Sequence, residues 1–327
     1  MQSATKMRKG IAVAGSIIVD KINVINKYPK SGELTQIQQI KESVGGCVPN
    51  VSIDIKTICP EVSVKAVGLV GKDNDGSLVK KVLEKSGVDI SQIFEENDRT
   101  SFTQVISEMG GQRTFFTYAG ASSKFGASHV DFDSLNVKML HLGYFLLLDK
   151  IDNGEGEEIL KKAKEKRITT SIDLVSENSQ RYSLVLPCLE YTDNLIVNEI
   201  EASKLTNLEL KKYTLQDLAT RLKELGVKDR VIIHTPEKSV CLSDRGYVES
   251  PSFSLPNGFI KGTTGAGDAF CAGALVEIYN GSSDKQILEF ASSCAVCSLT
   301  EQDATSGIKE KEQVIEFCKN LKRKELC

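Results

Sequence analysis

The sequence predicts an α/β protein with a mostly parallel central sheet that is covered by helices on both faces. Three observations support this fold class. Short runs rich in valine, isoleucine and alanine lack polar alternation, which is typical of strands buried on both faces. Helical patterns lie between these runs, and strands that alternate with helices favour parallel pairing. The 327 residues, of which 40% are apolar and 26% charged, suffice for a large buried core.

The predicted elements follow one another along most of the chain. Apolar runs predict strands at residues 11–19, 62–70, 138–145, 169–173, 194–197 and 230–234. Helical patterns occupy residues 49–59, 75–86, 155–167, 214–225, 266–279, 287–300 and 309–323. Gly87 is typical of a residue that follows a helix. Thr214 with Asp217, and Ser283 with Gln286, predict capped helix starts.

One region interrupts this alternation and predicts a second, smaller sheet. Residues 101–118 carry apolar side chains on both sides of Gly110-Gly111, a pattern typical of a β-hairpin. Residues 34–43 form another strand-like stretch without a neighbouring helix. Together they predict a small β-sheet, which we call the lid, within one domain spanning residues 11–327. Residues 1–10 are interpreted as a disordered basic tail rather than a signal peptide, because no cleavage pattern follows.

Charge and cysteine content narrow the class of protein. With 41 basic and 44 acidic residues, the net charge of −3 argues against nucleic acid as the main partner. No apolar run is long enough to predict a membrane span. Nine cysteines at scattered positions do not resemble a disulfide framework, so a cytoplasmic setting is expected. Cys294 and Cys297 are interpreted as core residues one helical turn apart, with a zinc or redox role as the alternative.

The strongest chemical signal is the segment KGTTGAGDAF at residues 261–270. Gly262, Gly265 and Gly267 allow the backbone to bend sharply and to approach a ligand closely. A helix is predicted to follow at once, and the exposed amides of its first turn would bind an anion. Asp268 in this turn has two interpretations. It is either a favourable partner for the helix dipole or the base that accepts a proton from a hydroxyl attacking a phosphoryl group.

Five motifs in order resemble the ribokinase/pfkB carbohydrate kinases. The segment 262–270 is similar to the C-terminal signature of this family. Further matches are Gly15-Ser16 with Asp20, Gly45-Gly46 with Asn50, the segment GLVGKDNDG at residues 68–76, and Asn198 with Glu201. The resemblance covers residues 11–308, nearly the whole chain. It implies a ribokinase-like three-layer α/β/α sandwich with a β lid.

The resemblance also implies roles for individual residues in an ATP-dependent transfer to a sugar hydroxyl. Asp268 would be the general base, and the amides of Gly265, Ala266 and Gly267 the anion hole. The sugar hydroxyls would be held by Asp20, Gly45, Gly46 and Asn50. Asn198 and Glu201 would organise Mg²⁺, largely through water, against the nucleotide phosphates. The nucleotide would also contact Thr235, Thr263 and Thr264. On the same analogy, an apolar lid face favours a homodimer.

The sequence departs from the family pattern at three places. Gly262 stands where the family usually has aspartate, so activation by a monovalent cation such as K⁺ stays open. Ile18 stands where sugar kinases often have asparagine, which changes the hydroxyl pattern read there. In the nucleotide-side segment 234–239, Pro236 and Ser239 replace two glycines. Contacts to the base of the nucleotide must therefore differ from the family pattern.

Two other functions remain open on the sequence. A nucleoside kinase of the same fold would use the same base and anion hole with a different acceptor. A non-catalytic sugar or nucleotide sensor would agree with the altered segment 234–239, but binding alone requires neither Asp268 nor the pair Asn198 and Glu201. The acceptor itself is not identified by the sequence, because a few side chains from separate strands decide it.

Overall fold

A computed structural model describes residues 8–109, 113–177 and 179–325, and it contains thirteen strands. In chain order these are β1 (Ile11–Gly15), β2 (Ile18–Ile25), β3 (Ile37–Gly45), β4 (Val64–Gly71), β5 (Asp89–Glu96), β6 (Phe102–Glu108), β7 (Arg113–Tyr118), β8 (Met139–Phe145), β9 (Thr169–Leu174), β10 (Asn194–Asn198), β11 (Arg230–His234), β12 (Lys238–Ser243) and β13 (Gly246–Pro251). Nine of them form one sheet in the order β13-β12-β11-β10-β9-β8-β1-β4-β5. Its strands pair in parallel except for β12 and β13, which continue antiparallel at one edge.

The described ranges also contain ten α-helices. They are α1 (Cys47–Ile58), α2 (Asn74–Lys85), α3 (Phe132–Leu135), α4 (Gly156–Glu165), α5 (Leu186–Leu189), α6 (Glu199–Thr206), α7 (Leu215–Glu224), α8 (Ala266–Asn280), α9 (Asp284–Ser298) and α10 (Lys311–Cys318). The predicted capping boxes at Thr214 and Ser283 are confirmed at the starts of α7 and α9. Gly87 follows α2 with a φ of 76°, as expected of a residue at a helix end.

The large sheet lies between two hydrophobic layers. Residues of α1, α2, α8, α9 and α10 form the core on one face, whereas those of α3 to α7 form the core on the other. Strand β1 shows why the sheet needs helices on both faces, since all five of its residues are buried. This arrangement confirms the three-layer α/β/α sandwich.

The lid is a separate four-stranded sheet in the order β3-β2-β6-β7. Its inner pair, β2 and β6, is parallel, and the two outer pairs are antiparallel. Strand β3 begins at Ile37 rather than at residue 34, and the predicted turn at Gly110-Gly111 lies outside the described residues. Phe115 and Phe116 on β7 are both exposed.

Several predicted bounds were wrong, each for a physical reason. The run at residues 11–19 is not one strand, because β1 ends at Gly15 in the large sheet and β2 begins at Ile18 in the lid. Strands β5, β12 and β13 were missed, since their sequences mix charged and apolar residues. The last helix ends at Cys318, after which the chain crosses over and Arg323 forms a β-bridge with Phe253.

The N-terminal region is described from Arg8 onward, so most of the predicted tail lies outside the described residues. At its end, the amide of Gly10 donates a hydrogen bond to the hydroxyl of Tyr279, at 3.0 Å. No helix in the described ranges combines the length and apolar character needed to cross a membrane.

Candidate active site

Five of the predicted site residues lie where parallel strands of the large sheet end, namely Asn198, Glu201, Gly265, Gly267 and Asp268. A cavity of about 180 Å³ lies there, lined by the ends of β8, β9 and β10 and by the start of α8. Gly265 precedes α8 with a φ of 79°, and a side chain on it would come within 2.5 Å of the Cα of Ala304. A glycine is therefore required both by conformation and by space. The first-turn amides of α8 border this cavity at Gly267 and Asp268.

Asp268 is buried in the wall of the cavity and is held by two hydrogen bonds. The amide of Asn50 and the hydroxyl of Tyr144 both donate to its Oδ2, at 2.8 and 2.9 Å. Burial, together with the charge of Asp173, raises the pKa of Asp268 to about 7, although these two donors act in the opposite direction. No described residue donates a hydrogen bond to Oδ1.

Asn50 connects Asp268 with the N-terminal glycine motif. Gly46 precedes α1 with a φ of 87°, and a side chain there would come within 2.7 Å of the carbonyl oxygen of Ser16. The Oδ1 of Asn50 is buried and has no hydrogen-bond partner among the described residues. Such an orphaned acceptor suits a ligand hydroxyl. Gly45 lies beside Asp20, whose Oδ2 would be 2.7 Å from a side chain added to Gly45.

Asp20 is partly buried on β2 of the lid. Burial raises its pKa to about 6. The structure therefore places Asp20 and Gly45 together, and it places Asn50 against Asp268. It gives no direct contact between the two pairs, and α1 connects them along the chain through Gly46.

Asn198 and Glu201 form a capping box at the start of α6. The side chain of Asn198 accepts from the amide of Glu201 at 2.9 Å, and Glu201 Oε2 accepts from the amide of Asn198 at 3.0 Å. Ser176 donates to Glu201 Oε1 at 2.8 Å. Burial raises the pKa of Glu201 to about 7. A buried carboxylate and an amide oxygen that line the same cavity as Asp268 fit a magnesium ion with part of its water shell.

A second cavity of about 430 Å³ opens on the other side of Asn198. Thr235, Thr263, Ala266 and Gly267 line it, whereas Thr264 lies exposed and lines neither of the two cavities. Its floor consists of apolar side chains, among them Phe253, Leu255, Ile260, Phe270, Val296 and Leu299. An apolar slot beside polar groups suits the base of a nucleotide.

The altered segment 234–239 has a local explanation. The hydroxyl of Thr235 accepts hydrogen bonds from the amides of Glu237 and Lys238, both at 3.0 Å, which closes a turn around Pro236. Pro236 lacks an amide hydrogen and suits this turn. His234 packs its ring 4.7 Å from the ring of Phe270, and burial lowers its pKa to about 4. It is therefore a neutral side chain between the two cavities.

The glycine at position 262 also has a structural cause. A side chain there would come within 2.7 Å of the carbonyl oxygen of Glu301 and 2.9 Å of the Cα of Gln302. Both are backbone atoms, so aspartate would require the segment around residues 301–302 to move. Glycine replaces the aspartate of the family pattern at this position because the backbone at residues 301–302 lies too close for a side chain.

Two residues that border the cavity were not identified from the sequence. Tyr144 has a φ of 61°, unusual for a residue other than glycine, and its amide donates to Asp173 Oδ1 at 2.7 Å while its hydroxyl donates to Asp268. Asp173 ends the predicted strand at residues 169–173. Its position at the carboxyl end of a parallel strand could have indicated a site residue, since ligands bind at these strand ends.

The fold and the site together define a kinase with a ribokinase-like fold. The sequence profile described as "pfkB family carbohydrate kinase" matches residues 8–311. The chain belongs to the pfkB family of carbohydrate kinases. Its homologues are phosphotransferases that act on an alcohol group.

Known proteins of related sequence include sugar and nucleoside kinases. Adenosine kinase of Saccharomyces cerevisiae is 26% identical over 297 residues, which cover 88% of this chain and 86% of that protein. The structure of Arabidopsis thaliana ribokinase complexed with ribose and ATP superposes with a TM-score of 0.81 at 22% identity, covering 96% and 99% of the two chains. A putative ribokinase II of E. coli, in complex with ATP and Mg²⁺, gives 0.80 at 20% identity, covering 95% and 99%. At this identity the structures establish the fold.

Proposed function

We propose that the protein transfers the γ-phosphoryl group of ATP to a hydroxyl of a sugar, with Asp268 as the general base. The observation that carries this proposal is the state of the Asp268 carboxylate. Its Oδ2 is fixed by Asn50 and Tyr144, and its Oδ1 is free of described donors in a cavity that Glu201 and Asn198 also line. A carboxylate that has a fixed orientation and a pKa near the operating pH suits general-base catalysis.

The proposed step conserves atoms and charge. The acceptor oxygen forms a bond to the γ-phosphorus while the bond between that phosphorus and the β–γ bridging oxygen breaks, and ADP leaves. The proton of the acceptor hydroxyl passes to Oδ1 of Asp268. Amides of Gly265 and Gly267 at the start of α8 would stabilise the charge on the transferring group. The Ala266 amide has a weaker claim, since it donates to the carbonyl of Thr263 at 3.3 Å.

The other predicted residues divide between the two substrates. Asn50 Oδ1, Asp20 and the glycines 45 and 46 would hold acceptor hydroxyls. Thr235 and Thr263 border the apolar cavity proposed for the nucleotide base, and exposed Thr264 would reach the phosphates from the loop. Glu201 and Asn198 would hold Mg²⁺ through water, and the ion would neutralise phosphate charge when bound.

The acceptor is a neutral sugar rather than a nucleoside in this proposal. The support is the polar character of the groups proposed for the acceptor, which include the unpartnered Oδ1 of Asn50 and the partly buried carboxylate of Asp20. A nucleoside would require a second apolar slot on the acceptor side. A sensor without catalysis is disfavoured because the oriented base has no purpose in binding alone.

The deciding experiment is an ADP-release assay with a panel of acceptors. Ribose, fructose, a keto-sugar acid, adenosine and inosine are compared, each with Mg²⁺ and with or without K⁺. We expect release with a free sugar and none with Asp268→Asn. Release with a nucleoside alone would favour the nucleoside kinase, and no release with any acceptor, despite binding of ATP, would favour the sensor.

We also propose that the protein is a cytoplasmic homodimer that associates through the lid. The eight described cysteines are free and buried, which agrees with a reducing compartment. Ile37, Ile40, Phe115 and Phe116 leave apolar surface exposed on the lid. Sedimentation of the purified protein decides the oligomeric state.

A further inference from the structure

Four side chains that the proposed transfer does not use meet beneath the active site. Cys47 is the first residue of α1, His141 lies on β8, Asp173 is the second-last residue of β9, and Cys271 lies on α8. All four are buried, with exposed fractions of 7% or less. Cys47, His141 and Asp173 each place one ligand atom within 4.8 Å of the other two.

Two distances around His141 are close to those between the ligands of a tetrahedral metal ion. His141 Nε2 lies 3.4 Å from Asp173 Oδ2, and the Sγ of Cys271 lies 3.6 Å from the same nitrogen. With zinc–ligand bonds of about 2.0 to 2.3 Å, tetrahedral geometry places nitrogen about 3.4 Å from oxygen and about 3.6 Å from sulfur. Cys271 contacts His141, but its sulfur is not among the atoms that lie within 4.8 Å of one another, so the group has three protein ligands.

The surroundings orient the cluster as metal sites commonly do. The other ring nitrogen of His141, Nδ1, lies 2.6 Å from Ser171 Oγ, so this hydroxyl fixes the ring. A side chain on Gly143 would come within 2.0 Å of Cys47 Sγ and 2.9 Å of Asp173 Oδ1. The absence of a side chain at Gly143 thus leaves the room that the sulfur and the carboxylate occupy.

The charge of the region favours a cation. Asp173 and Asp268 both lie close to the two thiols, and no lysine or arginine in the described residues forms an ion pair with either carboxylate. Burial and these carboxylates raise the pKa of Cys47 and of Cys271. A bound divalent cation would reverse this effect, because thiols that bind metal lose their protons.

We propose that Cys47, His141 and Asp173 bind one thiophilic divalent cation, zinc, as three protein ligands, and that the fourth position faces the cavity that Asp173 lines. Sulfur and imidazole select zinc rather than the magnesium that accompanies a nucleotide, which prefers oxygen ligands. The cavity that Asp173 and Cys271 line gives the ion a route to the site. None of these three ligands has a role in the proposed phosphoryl transfer, although Asp173 lies close enough to Asp268 to affect its pKa.

Metal binding by the full-length protein tests the proposal directly. Apoprotein prepared with a chelator is titrated with Co²⁺ while thiolate-to-cobalt charge transfer is recorded, and Zn²⁺ then displaces the cobalt. We expect one equivalent of each ion, with a charge-transfer band and a higher melting temperature. A wild-type protein that shows no charge-transfer band and retains no zinc after dialysis overturns the proposal.

Matched variants locate the site. Cys47→Ser and His141→Gln should weaken Co²⁺ binding by at least about tenfold, whereas Cys294→Ser, also a buried cysteine, should bind like the wild type. Equal binding by Cys47→Ser and the wild type, or loss confined to Cys294→Ser, contradicts the assignment. Circular dichroism establishes that each variant is folded, and the wild-type titration decides the matter if Cys47→Ser does not fold. These readouts do not depend on kinase activity.

Discussion

The large sheet and the lid differ in how much of their surface is buried. The large sheet is covered on both faces, and its polar side chains gather at the carboxyl ends of the strands, where Asp173 and Asn198 lie. The lid exposes every residue of β7 that the structure describes, including two phenylalanines. Rigid burial therefore places the chemistry in one region, while the other keeps apolar surface available for contact. Substitutions in the two regions should affect different observables.

The largest expected effect comes from Asp268→Asn at the buried edge. Removal of the proposed base should lower kcat by about 10²- to 10⁴-fold, which is the contribution typical of general-base catalysis. ATP binding should remain, because the amides at the start of α8 are unchanged. Calorimetric titration with ATP, alongside the ADP-release assay, makes both measurements. Near-normal turnover would remove Asp268 from the role of base.

The lid permits a paired test, because adjacent residues of a strand lie on opposite faces. Phe115 pairs with Val105, which in turn pairs with Ile22. Ile22 lies two residues from Asp20 on the same strand. Phe115 and Asp20 therefore lie on the same face of the lid. Phe116 lies on the other face. Phe115→Ser should raise the acceptor KM by about tenfold, and Phe116→Ser should weaken the proposed dimer.

Steady-state kinetics and sedimentation across a concentration range measure the two outcomes. If both variants weaken the proposed dimer equally, acceptor binding and dimer contact do not lie on opposite faces of the lid. No change in either measurement would show that neither aromatic side chain contacts a substrate or a second subunit.

A smaller effect is expected at Tyr144. Its hydroxyl lowers the pKa of Asp268, so Tyr144→Phe should raise that pKa above its value of about 7. A base acts when deprotonated, so kcat/KM falls as the pH falls through the pKa, and this acid limb should move to higher pH in the variant. Tyr247→Phe, which loses a hydrogen bond to Glu249 on β13, serves as control. A profile of Tyr144→Phe that coincides with the wild type would show that the hydroxyl does not act on the base.

The smallest effect concerns stability beneath the site. Asp54 on α1 is fully buried, its carboxylate oxygens have no hydrogen-bond partner among the described residues, and burial raises its pKa well above the usual range. A raised pKa means that ionisation costs stability as the pH rises. Asp54→Asn should therefore gain free energy of unfolding relative to the wild type as the pH rises above 3.8, by up to about 1.4 kcal/mol for each pH unit until the pKa of the buried carboxyl is reached. Urea unfolding at several pH values checks this, and a gain that shrinks with pH contradicts it.

The sequence predicted the parts of the site that are local and missed those that depend on packing. The segment 261–270 contains the glycines and Asp268 together, so a motif identifies them. Asn50 is 218 residues away from Asp268, and only the family resemblance connected the two. Tyr144 carried no signal, because its hydroxyl reaches Asp268 only through an unusual backbone conformation. The run at residues 11–19 misled for a related reason, since hydrophobicity does not tell which sheet a strand joins.

The separation between Asn50 and Asp268 has a consequence for biosynthesis. The glycine motif, α1 and the lid strands all emerge from the ribosome before residue 120, whereas α8 follows nearly 150 residues later. At about 5 to 20 residues per second, many seconds of translation separate the two halves of the site. During that interval the nascent chain holds the proposed acceptor-binding groups without the proposed base. The enzyme therefore gains its chemistry only in the last stage of synthesis, when the C-terminal helices dock.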